Sequence, residues 1–389
     1  MSSYKKINVV VPIYRGQHYI KGIISQIENC AEKVYDAARV ELILINDDPD
    51  DCFQENFLSK KIDIVMVEAE QNRGIQGTRV KGLSYCAGDY VVFLDQDDRL
   101  FPNYFKSQLE MLGDADAVVC KAKENGREVY NATYPFFKTV DFLNMISVGN
   151  TIVSPGQVLI RREAIPNIWK RNILQNSGAD DWFLWICMMQ KGCKFVLNDK
   201  ILFEHRLEGN NCSWDSEKMI LSEKEMLEVI KRESLLNEIM YKKIKDVIEL
   251  EQQRYIYLLE KYRKMFFIYD KWMELECRIG SMSGYLYGQR IRKVAVYGMG
   301  YIGMQLVNRL RDANIFVVKG IDRNAEYINV AIPVVRLEKF NDRVDLVIVT
   351  VMDNIENILW EIKGQLNAPV ITIHQLLESW EQEGEILYE

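Results

Sequence analysis

Short apolar runs rich in β-branched residues alternate with helical patterns along the first part of this chain. That alternation constrains the fold more than any other feature. Ile7-Asn8-Val9-Val10-Val11 is the first run, broken by Pro12-Ile13-Tyr14-Arg15-Gly16. Ile20, Ile23, Ile24 and Ile27 then recur at helical spacing. Leu42 to Ile45 is a second strand, followed by Asn46-Asp47-Asp48-Pro49-Asp50-Asp51. Ile64 to Val67 is a third, and Gln71-Asn72-Arg73-Gly74 turns into a helix through Val80 and Leu83. Tyr90 to Leu94 is the next strand. Strands separated by helices imply βαβ units and a mostly parallel sheet.

Acidic groups stand just past the strand ends, at Asp47 and at Asp95, Asp97 and Asp98. Ligands of open α/β sheets bind outside the carboxyl ends of the strands. A strand continuing through Asp95 and Asp97 would point both carboxylates to one side. Such a pair suits a divalent cation, because Mg²⁺ usually takes one or two carboxylates plus substrate phosphates. The alternative is an Asp-rich turn that merely ends a strand.

The 389 residues suffice for two or three domains. A net charge of −7 and a pI near 5.4 exclude a basic nucleic-acid-binding surface as the main theme. Eight cysteines form no Cys-x-x-Cys pair, and there are only three histidines. A zinc centre or disulfide framework is therefore not expected, and a reducing compartment fits better. Lys5-Lys6 leads straight into the first strand, unlike a signal peptide. No apolar run is long enough to span a bilayer. The expectation is a cytoplasmic protein, with peripheral contact at the inner membrane face as the remaining membrane option.

Four ordered segments carry a family resemblance. Val-Val-Pro-Ile-Tyr at 10–14, Ile45-Asn46-Asp47-Asp48, Asn72-Arg73-Gly74 with Arg79 and Gly82, and Leu94-Asp95-Gln96-Asp97-Asp98 with Pro102 occur with plausible spacing. Together they resemble the nucleotide-sugar-binding half of family 2 glycosyltransferases of GT-A fold, over about residues 5–215. Asn46 stands where the family usually has Asp, Arg15 and Val80 where Asn is common, and Asp48-Pro49 in place of Gly-Ser. The resemblance implies an inverting enzyme that moves a sugar from a nucleotide-diphosphate sugar, a UDP-sugar first among them, to an acceptor hydroxyl. It implies donor contacts at Pro12, Tyr14, Asp47, Arg79 and Asp95, and Mg²⁺ or Mn²⁺ at Asp95 and Asp97. Arg79 also has a rationale of its own, since a guanidinium near these acids can neutralise a carboxylate or reach a phosphate. Its alternative is a surface ion pair.

Residues 103–173 carry a weaker signal, as an acceptor-facing region would. Val153 to Ile160 reads as a loop into a strand, followed by Arg161-Arg162-Glu163. In Gly178-Ala179-Asp180-Asp181-Trp182-Phe183-Leu184-Trp185, the apolar residues Trp182, Trp185, Ile186 and Met189 lie at helical spacing. Asp180 and Asp181 thus open a helix, where capping alone would favour carboxylates. The stretch also resembles the family's E-D-W-x-L-W segment, which implies Asp181 as catalytic base, with Asp180 in place of Glu. Phe195–Leu197 and Ile201–Phe203 read as two closing strands. By resemblance, His205 is a candidate metal or phosphate contact, with Gly209-Asn210-Asn211-Cys212-Ser213 beside it; a structural histidine is the alternative.

Between Ser216 and Arg278 charges of both signs are interspersed without proline. Apolar and aromatic residues from Ile244 to Trp272 recur at near-helical spacing, so 216–289 reads as a helical packing or homo-oligomerisation segment. A membrane-surface role for Met265 to Tyr269 is disfavoured, because interfacial helices are usually basic on their polar face. Gly284 to Arg292 reads as a linker. Val294 to Gly303 is a strand running into Gly298-x-Gly300-x-x-Gly303, with Asp322 at the end of a following strand that starts at Phe316. Further strands at Leu346–Val349 and Val370–Ile373 complete a small α/β domain over 290–389. It resembles Rossmann-like domains appended to bacterial sugar-modifying enzymes, and the glycines with Asp322 make it a candidate nucleotide site. The expected whole is a GT-A domain over 1–215, the helical segment and this small domain, acting on a glycan or lipid-linked acceptor in surface polysaccharide synthesis. Two rivals are a catalytically silent nucleotide-sugar-binding scaffold and a bifunctional enzyme with an NAD-binding C-terminal part.

Overall fold

A computed structural model describes residues 4–207, 215–311 and 315–386. The chain forms two compact units, Met1–Gln252 and Gln253–Glu389.

In the first unit β1 (Lys5–Ile13) is central, with β2 (Ala38–Asn46) and β3 (Asp63–Glu68) to one side and β4 (Tyr90–Phe93) to the other. These four strands are parallel. Beyond β4 the sheet turns mixed through β8 (Val158–Arg161), β6 (Ala117–Glu124), β9 (Phe195–His205) and the short β5 (Arg99–Leu100), with β7 (Arg127–Glu128) on β6. Val9, Val10, Val11, Leu42 and Ile43 have no exposed surface, as expected for strands covered on both faces. Pro12 is tolerated in a central strand because it lies beyond the last β1–β4 pair, Val10 with Phe93, where no ladder donor is needed.

The covering helices are α1 (Ile20–Glu32), α2 (Gly74–Leu83), α3 (Tyr104–Leu112), α4 (Phe142–Ser147), α5 (Asn167–Arg171), α6 (Asp180–Gln190) and α7 (Ser216–Arg232). Gly82 lets α2 lie close on β1: a Cβ there would stand 2.3 Å from Val10 Cγ1. α8 (Glu238–Arg278) gives Ile244 and Ile248 to the core of this unit, and Ile268, Trp272 and Leu275 to the core of the second. The helical stretch 216–289 therefore does not stand apart, since α7 also buries Met226 and Ile230 in the first core.

The second unit is a five-stranded parallel sheet in the order β12 (Val334–Val335), β11 (Phe316–Ile321), β10 (Lys293–Tyr297), β13 (Leu346–Val349), β14 (Val370–Thr372). Alternate residues face opposite layers. Val294, Val296 and Ile348 pack with α9 (Met282–Gly288), α10 (Tyr301–Arg311) and α12 (Ile373–Ile386). Ala295, Tyr297, Val347 and Val349 pack with α11 (Ile355–Gln365).

Three local expectations change. Gly284–Arg292 is not all linker: α9 occupies its first half, because Ser281 accepts from the Gly284 N–H at 3.1 Å and Met282 and Leu286, four apart, are both buried. Phe195–Leu197 and Ile201–Phe203 are one strand, whose pairing with β6 is irregular between Cys120 and Ala122. Asp95 and Asp97 do not lie on a strand, because β4 stops at Phe93 and the Asp98 N–H closes a turn on the Asp95 carbonyl at 3.1 Å.

Candidate active site

The carboxyl ends of β1, β2 and β4 are neighbours in the sheet, and the first, second and fourth sequence segments lie there. The Asp47 N–H continues the β1–β2 ladder by donating to the Ile13 carbonyl at 2.7 Å. One Asp47 carboxylate oxygen accepts from the Arg73 N–H at 2.8 Å, so the turn before α2 seats the acid after β2. Burial raises the Asp47 pKa against these hydrogen bonds. Asn46 is a structural bracket: its amide donates to the carbonyls of Asp48 (3.1 Å) and Asp51 (2.9 Å) and to Glu68 (2.6 Å), the last residue of β3. A charged Asp here would face Glu68 and lose all three donations, which explains why this chain carries Asn. Tyr14 exchanges two backbone hydrogen bonds with the Gln96 side chain, joining the end of β1 to the aspartate turn, while the residue stays 44 % exposed.

Arg79 is the hinge of the arrangement. It lies on α2 with a side chain only 4 % exposed. One terminal nitrogen donates to Asp180 at 2.6 Å and the other to Asp95, while Nε has no partner among the described residues. Burial opposes its charge, and Asp180, Asp95 and Asp181 more than offset that, so it stays protonated. It is thus not a surface ion pair, since the side chain is buried and both terminal nitrogens donate to carboxylates. Its position ties the turn after β4 to the start of α6.

The other aspartates of the turn differ sharply. Asp98 is buried: one oxygen accepts from the Ser154 hydroxyl at 2.7 Å, and the other meets His205 Nδ1 at 2.8 Å and accepts from the Arg206 N–H at 3.3 Å. Burial raises its pKa, against the His205 and Ser154 hydrogen bonds. His205 ends β9. Burial opposes its charge, but the carboxylates of Asp98, Asp95 and Asp97 hold its pKa at about 8. With Nδ1 on Asp98, its Nε2 is the ring nitrogen left for a ligand. Asp97 is pushed up to about 7, first by burial and then by the charges of Asp98 and Asp95. Among the described residues no three His, Cys, Asp or Glu side chains form a ready metal cage. Crowded carboxylates without a cage suit a cation that substrate phosphates complete.

Asp181 lies in the first turn of α6. It is not the cap, because the N-cap is Ala179 and makes no side-chain cap bond. One Asp181 oxygen accepts from the Trp182 N–H at 2.7 Å and the other from the Asn150 amide at 3.0 Å. Burial first, and the neighbouring Asp180 charge second, raise its pKa to about 7, with Arg79 pulling the other way. A carboxylate poised near neutrality is what general-base work requires. Asn150, Ser154 and Gln96 escape sequence reading. Asn150 and Ser154 sit in the weakly patterned 103–173 stretch, and their partners lie 31 and 56 residues away. The Gly209–Ser213 segment lies outside the described residues.

The glycine turn of the second unit is a separate matter. Gly298 adopts φ +94°, and a Cβ on Gly303 would stand 2.0 Å from the Gly298 carbonyl oxygen. Asp322 accepts from the N–H groups of Met299 and Asn324, each at 2.8 Å. The first and third glycines and the acid are therefore all used by the turn itself. Only Gly300 faces open space.

Comparison with known proteins bears on the first unit. The profile described as glycosyl transferase family 2 matches residues 8–169. A putative teichuronic acid biosynthesis glycosyltransferase, TuaG of Bacillus subtilis, is 26 % identical over 222 residues, covering 55 % of this chain and 84 % of its own length. The Escherichia coli protein named UDP-Glc:alpha-D-GlcNAc-diphosphoundecaprenol beta-1,3-glucosyltransferase WfgD is 28 % identical over 107 residues, covering 27 % of this chain and 40 % of its own length. Among solved structures, S. aureus TarS 1-349 in complex with UDP-GlcNAc aligns with TM-score 0.45 and 17 % identity, over 62 % of this chain and 71 % of that one.

Proposed function

Through residues 8–169 the chain belongs to glycosyl transferase family 2, and on that premise we propose that it is a metal-dependent inverting glycosyltransferase. The carrying observation is the ion-pair chain Asp95–Arg79–Asp180, in which Arg79 and Asp180 are buried and Asp95 is half-buried. It fixes the aspartate turn after β4 against the helix that presents Asp181, so a donor site and a base share one rigid frame. Asp47 accepts from the nucleotide base, and Tyr14 lines the same edge. Asp95 and Asp97 would hold a divalent cation completed by the donor diphosphate, with His205 as a phosphate contact beside them rather than a third ligand; when bound, the cation supplies charge neutralisation at the diphosphate and a stabilised leaving group. Asp98 engages His205 Nδ1 and so leaves Nε2 as the ring nitrogen for the donor phosphate. Asp181, held by Asn150, takes the proton from an acceptor hydroxyl as that oxygen attacks the anomeric carbon; the sugar–phosphate bond breaks, and the electron pair leaves with the nucleotide diphosphate. One displacement inverts the anomeric centre.

The donor class is read as UDP-sugar from the name of the Escherichia coli relative. The acceptor class is read as a surface polysaccharide or its lipid-linked precursor from the names of both relatives. No helix among the described residues is long and apolar enough to cross a membrane. A thermal-shift screen of nucleotide sugars with Mn²⁺ tests the reading, because a ligand of the native state raises apparent stability as RT ln(1 + [L]/Kd). A Mn²⁺-dependent shift with one nucleotide class, lost in Asp97→Asn, is the expected result. No shift with any nucleotide sugar, or an undiminished one in Asp97→Asn, would reduce the aspartate segment to a turn.

A further inference from the structure

The second unit leaves an apolar stripe uncovered. On α8, Ile268, Trp272 and Leu275 face the core and are at most 9 % exposed. On the opposite face, Leu259, Phe266 and Met273 recur every seven residues and are 49, 64 and 61 % exposed. Tyr262 widens the stripe on one side, and Ile256, Arg263 and Asp270 flank it at the same interval. A seven-residue apolar repeat is the spacing that packs one helix along another. Exposed apolar patches of this kind mark interaction surfaces.

The pattern also names its partner. About a two-fold axis at Phe266, an antiparallel second copy would set Phe266 on Phe266, Leu259 on Met273, and Arg263 beside Asp270. Arg263 and Asp270 make no ion pair among the described residues; Arg263 lies only over the Phe267 ring, at 5.6 Å. Residues 254–264 hold four cations and one acid, whereas 270–277 hold three acids and one cation. Glu274 and Glu276 are already paired within the unit, so the complementarity rests chiefly on Arg263 and Asp270. A parallel pairing would instead oppose like charges at both positions. Mixed charge beside the stripe also disfavours a lipid surface.

We propose that this protein is a homodimer through an antiparallel α8–α8 contact centred on Phe266, an isologous interface in which the same patch serves both copies. Sedimentation equilibrium of the full chain at tens of micromolar should return about twice the 45.5 kDa chain mass. Phe266→Asp, a change at an exposed position, should return the monomer with an unchanged circular dichroism spectrum. Arg263→Asp should weaken the dimer at least tenfold, and adding Asp270→Arg in the same chain should restore it, because the pair is exchanged intact. A monomeric wild type, a dimer indifferent to Phe266→Asp, or a double variant no tighter than Arg263→Asp overturns the proposal. So does a monomer that co-sediments with anionic phosphatidylserine vesicles through Phe266.

Discussion

Both units put acids at the ends of parallel strands beside a tight turn, yet they use them differently. In the second unit the carboxylate of Asp322 is spent on two backbone N–H groups of its own neighbourhood. The first unit gathers Asp95, Asp97, Asp98, Asp180 and Asp181 around Arg79 and His205, and the pKa values of Asp97 and Asp181 rise to about 7. A fold gains nothing from crowding ionisable groups until they titrate near neutrality, because burial and like charge both oppose ionisation. The crowded charge of the first unit supports the proposed chemistry there, and in the second unit Asp322 serves the turn's own N–H groups.

The comparison breaks most visibly at Asp181. Asp181→Asn keeps the shape and the Asn150 contact but removes the proton acceptor. Transfer to an acceptor should fall by about 10²–10⁴-fold, with donor affinity unchanged. Wild-type transfer in this variant would place the base elsewhere. Since the base works as the carboxylate and its pKa lies at about 7, the transfer rate should rise with pH through that region and level off above it. A profile already flat from pH 5 upward would deny Asp181 the role.

Arg79→Met tests the frame rather than the chemistry. It leaves Asp180 buried without its cation, and breaking a buried pair typically costs about 3–5 kcal/mol. Urea unfolding of the first-unit transition should move accordingly. A loss under about 1 kcal/mol would show that the ion-pair chain contributes little to holding the two halves of the site together.

Much of this was legible in the sequence, and what was missed has a physical reason. The strands β1, β2, β3 and β4 show in their β-branched runs, while Asp47, Arg79, Asp95 and Asp181 stand out through the family resemblance of the segments that carry them. Asp95 and Asp97 misled as a strand pair, because periodicity cannot say where a strand stops, and β4 stops at Phe93. Helix α9 hid in a glycine-containing stretch, since its stability comes from burying Met282 and Leu286 rather than from propensity. Asn150 and Ser154 make contacts across long sequence separations, which no local pattern encodes. The role of Arg79 was legible in kind but not in depth: residue type announced an ion pair, while only packing decides that it is a buried one.

Smaller effects sharpen the other half of the comparison. Gly303→Ala sets a methyl 2.0 Å from the Gly298 carbonyl oxygen and should destabilise the second unit by about 1–3 kcal/mol, as overpacking does. The check is a shift of the second-unit transition in thermal unfolding, with the first-unit transition left in place. Gly300→Ala is the contrasting change and the smallest expected effect. A Cβ there meets nothing within 4 Å, and the residue has no positive φ to lose. Its effect on folding should stay within about ±0.5 kcal/mol, the usual range for surface changes. That neutrality makes it a probe. Were the turn to cradle a phosphate, Gly300 would be the glycine against which the ligand's backbone approach is made, and its methyl would block that approach. If the turn is self-contained, titrating wild type and Gly300→Ala with NAD or UDP should give the same second-unit stability at every ligand concentration. A nucleotide that stabilises the wild type and not Gly300→Ala would show that Asp322 and the turn serve a ligand after all, and that the contrast between the two units is one of charge density rather than of function.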